Sequence, residues 1–272
     1  MIAALQMYDW PEVRERTDAF WARVRAELAR QRIGAPVALS RPDDLSVPWR
    51  NPDLLVGQTC GLPFVSGRCP GTILIGRPDY GVEGASGGTY ASAVICRANE
   101  AAPLSEFRGR TAVINEFGSQ SGCNALADHV QRMKLDRDGP FFGRLEISGA
   151  HRASALMVAR GQADIAAIDA VSWALFAECD PEAHAGLHVI GWTRNMPALP
   201  FITAAANAPQ KLALTDALLT AALESGATLP GIPIDVLPTE DADYDPISRM
   251  AERIGGMRLA RETPALADAS PR

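Results

Sequence analysis

The chain has 272 residues, of which 47% are hydrophobic and 21% charged, with a formal net charge of -6. Such a composition builds a globular core in one large domain or two smaller ones, and its acidic balance argues against a general binder of nucleic-acid backbone. No run of about 18 apolar residues is present to span a bilayer, MIAALQMYDW lacks the basic leader of an export signal, and five cysteines without a C-x-x-C predict reduced thiols rather than a disulfide framework or zinc ribbon.

In chain order, MIAALQMY predicts a strand closed by Asp9. DWPE supplies a cap, an early proline and Glu12 for a helix on which Val13, Phe20, Val24 and Leu28 recur at helical spacing until Gly34. APVALS reads as the second strand of a βαβ start and DLLVGQTCGLPF as a third, breaking at Gly57, Gln58 and Thr59. GTILIGRPDY and YASAVICRA are β-rich segments around the flexible GVEGASGG. TAVINEFGSQSGCNALADHVQRM then gives strand, polar turn and helix, and LEISGAHRASALMVARGQADIAAIDAVSWALF repeats that pattern twice.

GLHVIGWTRN and LPFITAA are further strands, KLALTDALLTAALES is a helix, and LPGIPIDVLPTEDADYDP reads as a proline-punctuated loop. A short helix is expected from Ile247 to Ile254, followed by a disordered tail, ETPALADASPR. The pattern predicts two α/β lobes, residues 1–92 with 194–272 and an inserted 93–193, joined by two crossing strands near 90–96 and 189–194. The strands of the middle third end in polar groups, Ser119 to Ser121, His151 and Asp169. In open parallel sheets ligands collect beyond the carboxyl ends of strands, so these groups are expected to converge.

A helix mouth with free amides and the positive end of the helix dipole holds an anion by default. The bland alternative for Ser119, Ser121 and Gly122 is a simple helix cap. SQSGCNAL, GAHRASALMVARGQADIAAIDAVSW and MPALPFIT resemble the phosphate/phosphite/phosphonate-binding branch of the type 2 periplasmic solute-binding proteins, the receptors of ABC importers. The resemblance runs from LQMYDWPE to DYDPISRMAERIG and is most specific between Gly149 and Trp173. It implies a two-lobed periplasmic-binding-protein-like α/β fold, two Rossmann-like lobes that close about the hinge strands on a small phosphorus oxyanion, with an ABC permease as partner.

Carried over residue by residue, the family implies that Ser119, Gln120 and Ser121 grip the oxyanion, that His151 donates to it, and that Tyr8 closes from the first lobe. Asp169 matches the acidic position that meets a cationic or hydroxyl part of the ligand; capping the following helix is its alternative. Gln120 stands where the family often has threonine. Gln58 and Thr59, at the end of the third strand, complete the candidate set. Protonation of His151 would strengthen binding of the more anionic ligand as pH falls.

His184-x-x-x-His188 has the spacing of a metal pair, but Pro181 and Gly186 favour a surface loop, and Cys60 and Cys123 read as small buried hydrophobes. No cofactor, metal, nucleic-acid partner or membrane insertion is expected, and a monomer is. Two other functions stay open: a small biosynthetic enzyme or lyase on the same fold, with His151 or Asp169 as general base, and a cytosolic ligand sensor. The resemblance points to the periplasm, the missing leader and odd cysteine count to the cytoplasm.

Overall fold

The computed structural model describes residues 1–226 and 228–269. The chain divides into two compact units, Met1–Thr89 with Pro197–Asp245, and Tyr90–Met196 with Pro246–Arg272.

In the first unit, strands run in the order Ile2–Ala4, Leu54–Gln58, Phe201–Ala204, Thr72–Asp79 and Asp235–Leu237. The first pair is parallel and the others antiparallel. Helix Arg14–Arg30 presents Phe20, Trp21, Val24 and Leu28 as one apolar stripe. It packs on helix Lys211–Leu223, and Leu214, Ala217, Leu218 and Ala221 of that helix join Leu55, Val56, Ile75 and Val236 in a continuous core.

Several expectations change here. Residues 35–40 form no strand. Pro36 has no amide for a ladder, Trp21 Nε1 donates to its carbonyl (3.1 Å), and Ser40 N donates to Ala3 O (2.7 Å), so Leu54–Gln58 takes the place beside the first strand. Asp9 caps nothing: it pairs with Arg41 at 2.5 Å, and the turn Pro11–Val13 leads into the helix without a side-chain cap. The proline-punctuated loop contains a strand, Asp235–Leu237, too short between Pro233 and Pro238 for a period to show.

The second unit orders its strands Leu187–Trp192, Ser92–Arg97, Ile165–Asp169, Thr111–Ile114 and Arg144–Ile147. The last three are mutually parallel, whereas Ser92–Arg97 runs antiparallel to both its neighbours. Each of the three parallel strands feeds a helix: Ala125–Arg132, His151–Ala159 and Ala170–Cys179. Their carboxyl ends therefore lie side by side on one edge of the sheet. All five cysteines are free thiols. Cys60 and Cys123 are buried, and burial, with Glu116 adding, pushes the Cys123 thiol up to about 12, which keeps it an inert filler. Pro181–Ala185 is a short helix rather than a loop, with His184 against Trp173 at 4.3 Å. Among the described residues no group of three or more His, Cys, Asp and Glu side chains is placed to hold a metal ion.

The C-terminal segment also departs from expectation. Residues from Pro246 onward belong to the second unit, so the chain passes between units at 89/90, 196/197 and 245/246 rather than twice. The cause is polar. Asp128 is 1% exposed, and a carboxylate so buried requires partners. Arg253, on helix Asp245–Ile254, bonds it directly and donates to Gln131 Oε1 (3.2 Å), while Arg194 stands at 3.6 Å. Phe142 N donates to Leu259 O (3.0 Å). Of the tail expected to be disordered, Leu266–Ala269 is helical with Leu266 buried, and residues 270–272 lie outside the described residues.

Arg253→Ala removes the direct partner of a buried carboxylate and leaves Arg194 to compensate. The expected loss is about 1–3 kcal/mol of unfolding free energy by urea titration. An unchanged midpoint would show that the pair is energetically idle.

Candidate functional site

Thr111–Ile114 ends in Asn115, and the chain then makes a single wide (π) turn, Gln120–Asn124, that continues into helix Ala125–Arg132. The first amides of such a turn find no carbonyl one turn back inside the helix. Ser119 satisfies one of them, its Oγ accepting from Gly122 N at 3.0 Å. Ser121 lies one half-turn on, its Oγ 2.8 Å from His151 Nε2. The same Nε2 is 3.3 Å from Asp169 Oδ2. Asp169 Oδ1 in turn accepts from Val171 N (3.1 Å) and Ser172 N (3.0 Å), capping helix Ala170–Cys179. Ser119, Ser121 and Asp169 are all buried, and His151 is nearly so.

Three adjacent parallel strands thus deliver one serine turn, one histidine and one aspartate to a single cluster, whose residues are far apart in sequence. Ser92 anchors it from the neighbouring strand, donating to Ser121 O at 3.0 Å. Burial pushes the His151 imidazole below its ordinary value, against the pull of Asp169, the Ala167 carbonyl and Glu116. Burial thus favours the neutral ring at neutral pH. Its Nδ1 is buried and makes no well-aligned hydrogen bond among the described residues, although the Ala167 carbonyl lies beside the ring.

Gln120 is 1% exposed, and its side chain turns to the C-terminal helix, where Nε2 donates to Met250 Sδ at 3.1 Å. Its Oε1 has no hydrogen-bond partner among the described residues. The remaining three candidates belong to the first unit. Tyr8 packs edge-on against Tyr80 with ring centroids 5.1 Å apart. Gln58 Nε2 donates to Tyr80 Oη (2.7 Å) and Leu199 O (3.2 Å), and these side chains line a cavity of about 10 Å³, room for one water. Thr59, fully buried, donates to Cys60 O (3.3 Å) and faces Cys69 Sγ (3.5 Å).

Two contributors escaped sequence reasoning. A Cβ on Gly122 would stand 2.0 Å from Asn115 Oδ1 and 3.2 Å from His151 Cε1, so Asn115 fills the space that Gly122 vacates. Asn115 opens the same short polar run, but its spacing carried no cap or ligand signal of its own. Ser92 sits in an apolar strand, where only its burial marks it.

A family model described as ABC transporter, phosphonate, periplasmic substrate-binding protein matches residues 14–244. The chain belongs to this family of substrate-binding components of importers. Among solved structures it is similar to PhnD1 from Prochlorococcus marinus in complex with methylphosphonate. That match has a TM-score of 0.66 and 15% identity over 88% of this chain and 93% of that one. XAC2383 from Xanthomonas citri bound to ATP gives 0.64 and 14%, over 93% and 94%. A binding protein component of an ABC phosphonate transporter from Pseudomonas aeruginosa gives 0.62 and 14%, over 87% and 81%. The shared fold is the two-lobed periplasmic-binding-protein fold; no curated protein matches by sequence.

Two outcomes follow from this geometry. Gly122→Ala is expected to cost about 1–3 kcal/mol through overpacking, and Asn115→Gly in the same chain to return most of it, both read by chemical unfolding; a neutral Gly122→Ala would refute the contact. A histidine whose folded pKa lies below its ordinary 6.5 contributes stability that is complete above that pH and lost as pH falls through the depressed value. His129 and His184 are lowered as well, by burial. The melting temperature is therefore expected to fall below pH 6.5, and His151→Gln to flatten part of that slope.

Proposed function

We propose that the chain is a receptor for a small phosphorus oxyanion, phosphonate, phosphite or phosphate, which it passes to an ABC permease. The observation that carries this reading is the Ser121–His151 contact at 2.8 Å within a turn that also holds the Ser119 hydroxyl at a helix mouth. Hydroxyls and helix-end amides are the donors an oxyanion needs, and each charge-assisted bond contributes on the order of 1.5–3 kcal/mol, so a few suffice for micromolar binding. Asp169, a negative charge close to the cluster, is tolerable because two amides and an imidazole cover its oxygens. Asp169 Oδ1 caps a helix, and Oδ2, 3.3 Å from His151 Nε2, is placed to orient the ring.

Ser121, His151 and Asp169 also invite comparison with a hydrolytic triad, which favours an enzyme. In such a triad the carboxylate holds Nδ1 and leaves Nε2 to the nucleophile. Here Ser121 and Asp169 both lie at Nε2 and no carboxylate holds Nδ1, which supports binding over nucleophilic catalysis. The ligand bound by the Prochlorococcus relative makes methylphosphonate the first probe, with phosphite, phosphate and methanesulfonate beside it.

At least one phosphorus oxyanion of that panel is expected to raise the melting temperature and to give a calorimetric binding isotherm. Ser121→Ala with His151→Ala is expected to weaken binding on the order of 100-fold, the equivalent of about 3 kcal/mol. A panel that shifts nothing, or a double variant that binds as the native chain does, overturns the reading. A candidate metabolite turned over to product would favour the enzyme instead.

A further inference from the structure

Resting on that reading, we infer that Asp169 is a positioning residue that fixes the tautomer of His151, so that His151 donates to Ser121 and the Ser121 hydroxyl proton is left for the ligand. The inference begins with the two contacts of one nitrogen. His151 Nε2 lies 2.8 Å from Ser121 Oγ and 3.3 Å from Asp169 Oδ2. A carboxylate only accepts, so an Nε2 bearing a lone pair would oppose it; an Nε2–H is attracted to it. The full charge of Asp169 thus favours the proton on Nε2, where it is donated to Ser121, over Nδ1, for which the neutral Ala167 carbonyl beside the ring is the competing acceptor; Nδ1 then carries the lone pair.

That assignment decides what Ser121 does. A hydroxyl whose oxygen accepts from an imidazole N–H has its own O–H free to rotate towards another acceptor. Among the described residues no chain acceptor takes that proton. Ser119 is arranged alike: its Oγ accepts from Gly122 N, which leaves its O–H to donate. Each serine therefore keeps its O–H to donate towards the site. Phosphorus oxyanions satisfy such donors. His151, by contrast, serves the ligand through Ser121 and makes no donor bond of its own from Nδ1.

Asp169→Asn separates this role from plain structure. Asparagine caps a helix as well as aspartate, so Oδ1 keeps Val171 and Ser172, while loss of the carboxylate charge removes what holds the proton on Nε2 and favours it on Nδ1. The single lone pair of Nε2 then accepts from the nearer Ser121 hydroxyl, which consumes its proton. In the full chain labelled with 15N, two-bond proton–nitrogen spectra distinguish the tautomers, with His151→Gln identifying the resonance among the four histidines. The expected result is an Nε2–H ring in the native chain and an Nδ1–H ring in Asp169→Asn. Methylphosphonate affinity is expected to fall at least 10-fold in Asp169→Asn. Asp169→Asn with Ser121→Ala is expected to bind no more weakly than Ser121→Ala alone, because both act through one hydroxyl.

A native ring protonated on Nδ1, or losses that add fully in the double variant, overturn the inference. The native spectrum decides the tautomer even if Asp169→Asn fails to fold. If the native chain binds no phosphorus oxyanion, the receptor reading falls while the spectrum still judges the tautomer.

Discussion

The second unit depends on how a strand can end. Thr111–Ile114, Arg144–Ile147 and Ile165–Asp169 are parallel neighbours, so each must hand its chain to a helix at the same edge, and every such handover leaves helix amides without acceptors. Ser119 and Asp169 answer two of these needs with side-chain oxygens. The capping that secures the fold is thereby the same chemistry that gathers polar groups, and His151 links the two capped turns. Capping, posed as the bland alternative when the sequence is read, is what Ser119 and Asp169 do, and it does not exclude a binding role.

The order of strands and helices was legible because most apolar runs are long enough to show a period, and because glycine and proline mark their ends. The helix bearing Phe20, Trp21 and Val24 and the middle third of the chain are the clearest cases. Where a segment was short or bounded by prolines, the signal failed: residues 35–40 look like a strand but bond elsewhere, and Asp235–Leu237 hides between Pro233 and Pro238. Helix Asp245–Ile254 was visible, yet its allegiance was not, since Asp128 and Arg253 pair across a separation that no local pattern encodes.

The same division holds at the site. Ser119, Ser121, His151 and Asp169 were legible because strand ends in a parallel sheet concentrate polar residues. Their roles were not. Which nitrogen faces which oxygen, and that Gln120 turns to Met250 while Gln58 is held by Tyr80 and Leu199, are matters of rotamer and packing. Asn115 was missed because its task is steric: it occupies the volume that a glycine leaves.

The late return of the chain to the second unit bears on how the protein can be dissected. Neither unit is one continuous stretch, and excising residues 90–196 alone would strip Asp128 of Arg253 and expose the faces that Met250 and Leu259 cover. A stand-alone version of the second unit has to be spliced from two pieces, with the last helical segment grafted behind Met196 and the intervening stretch of the other unit left out.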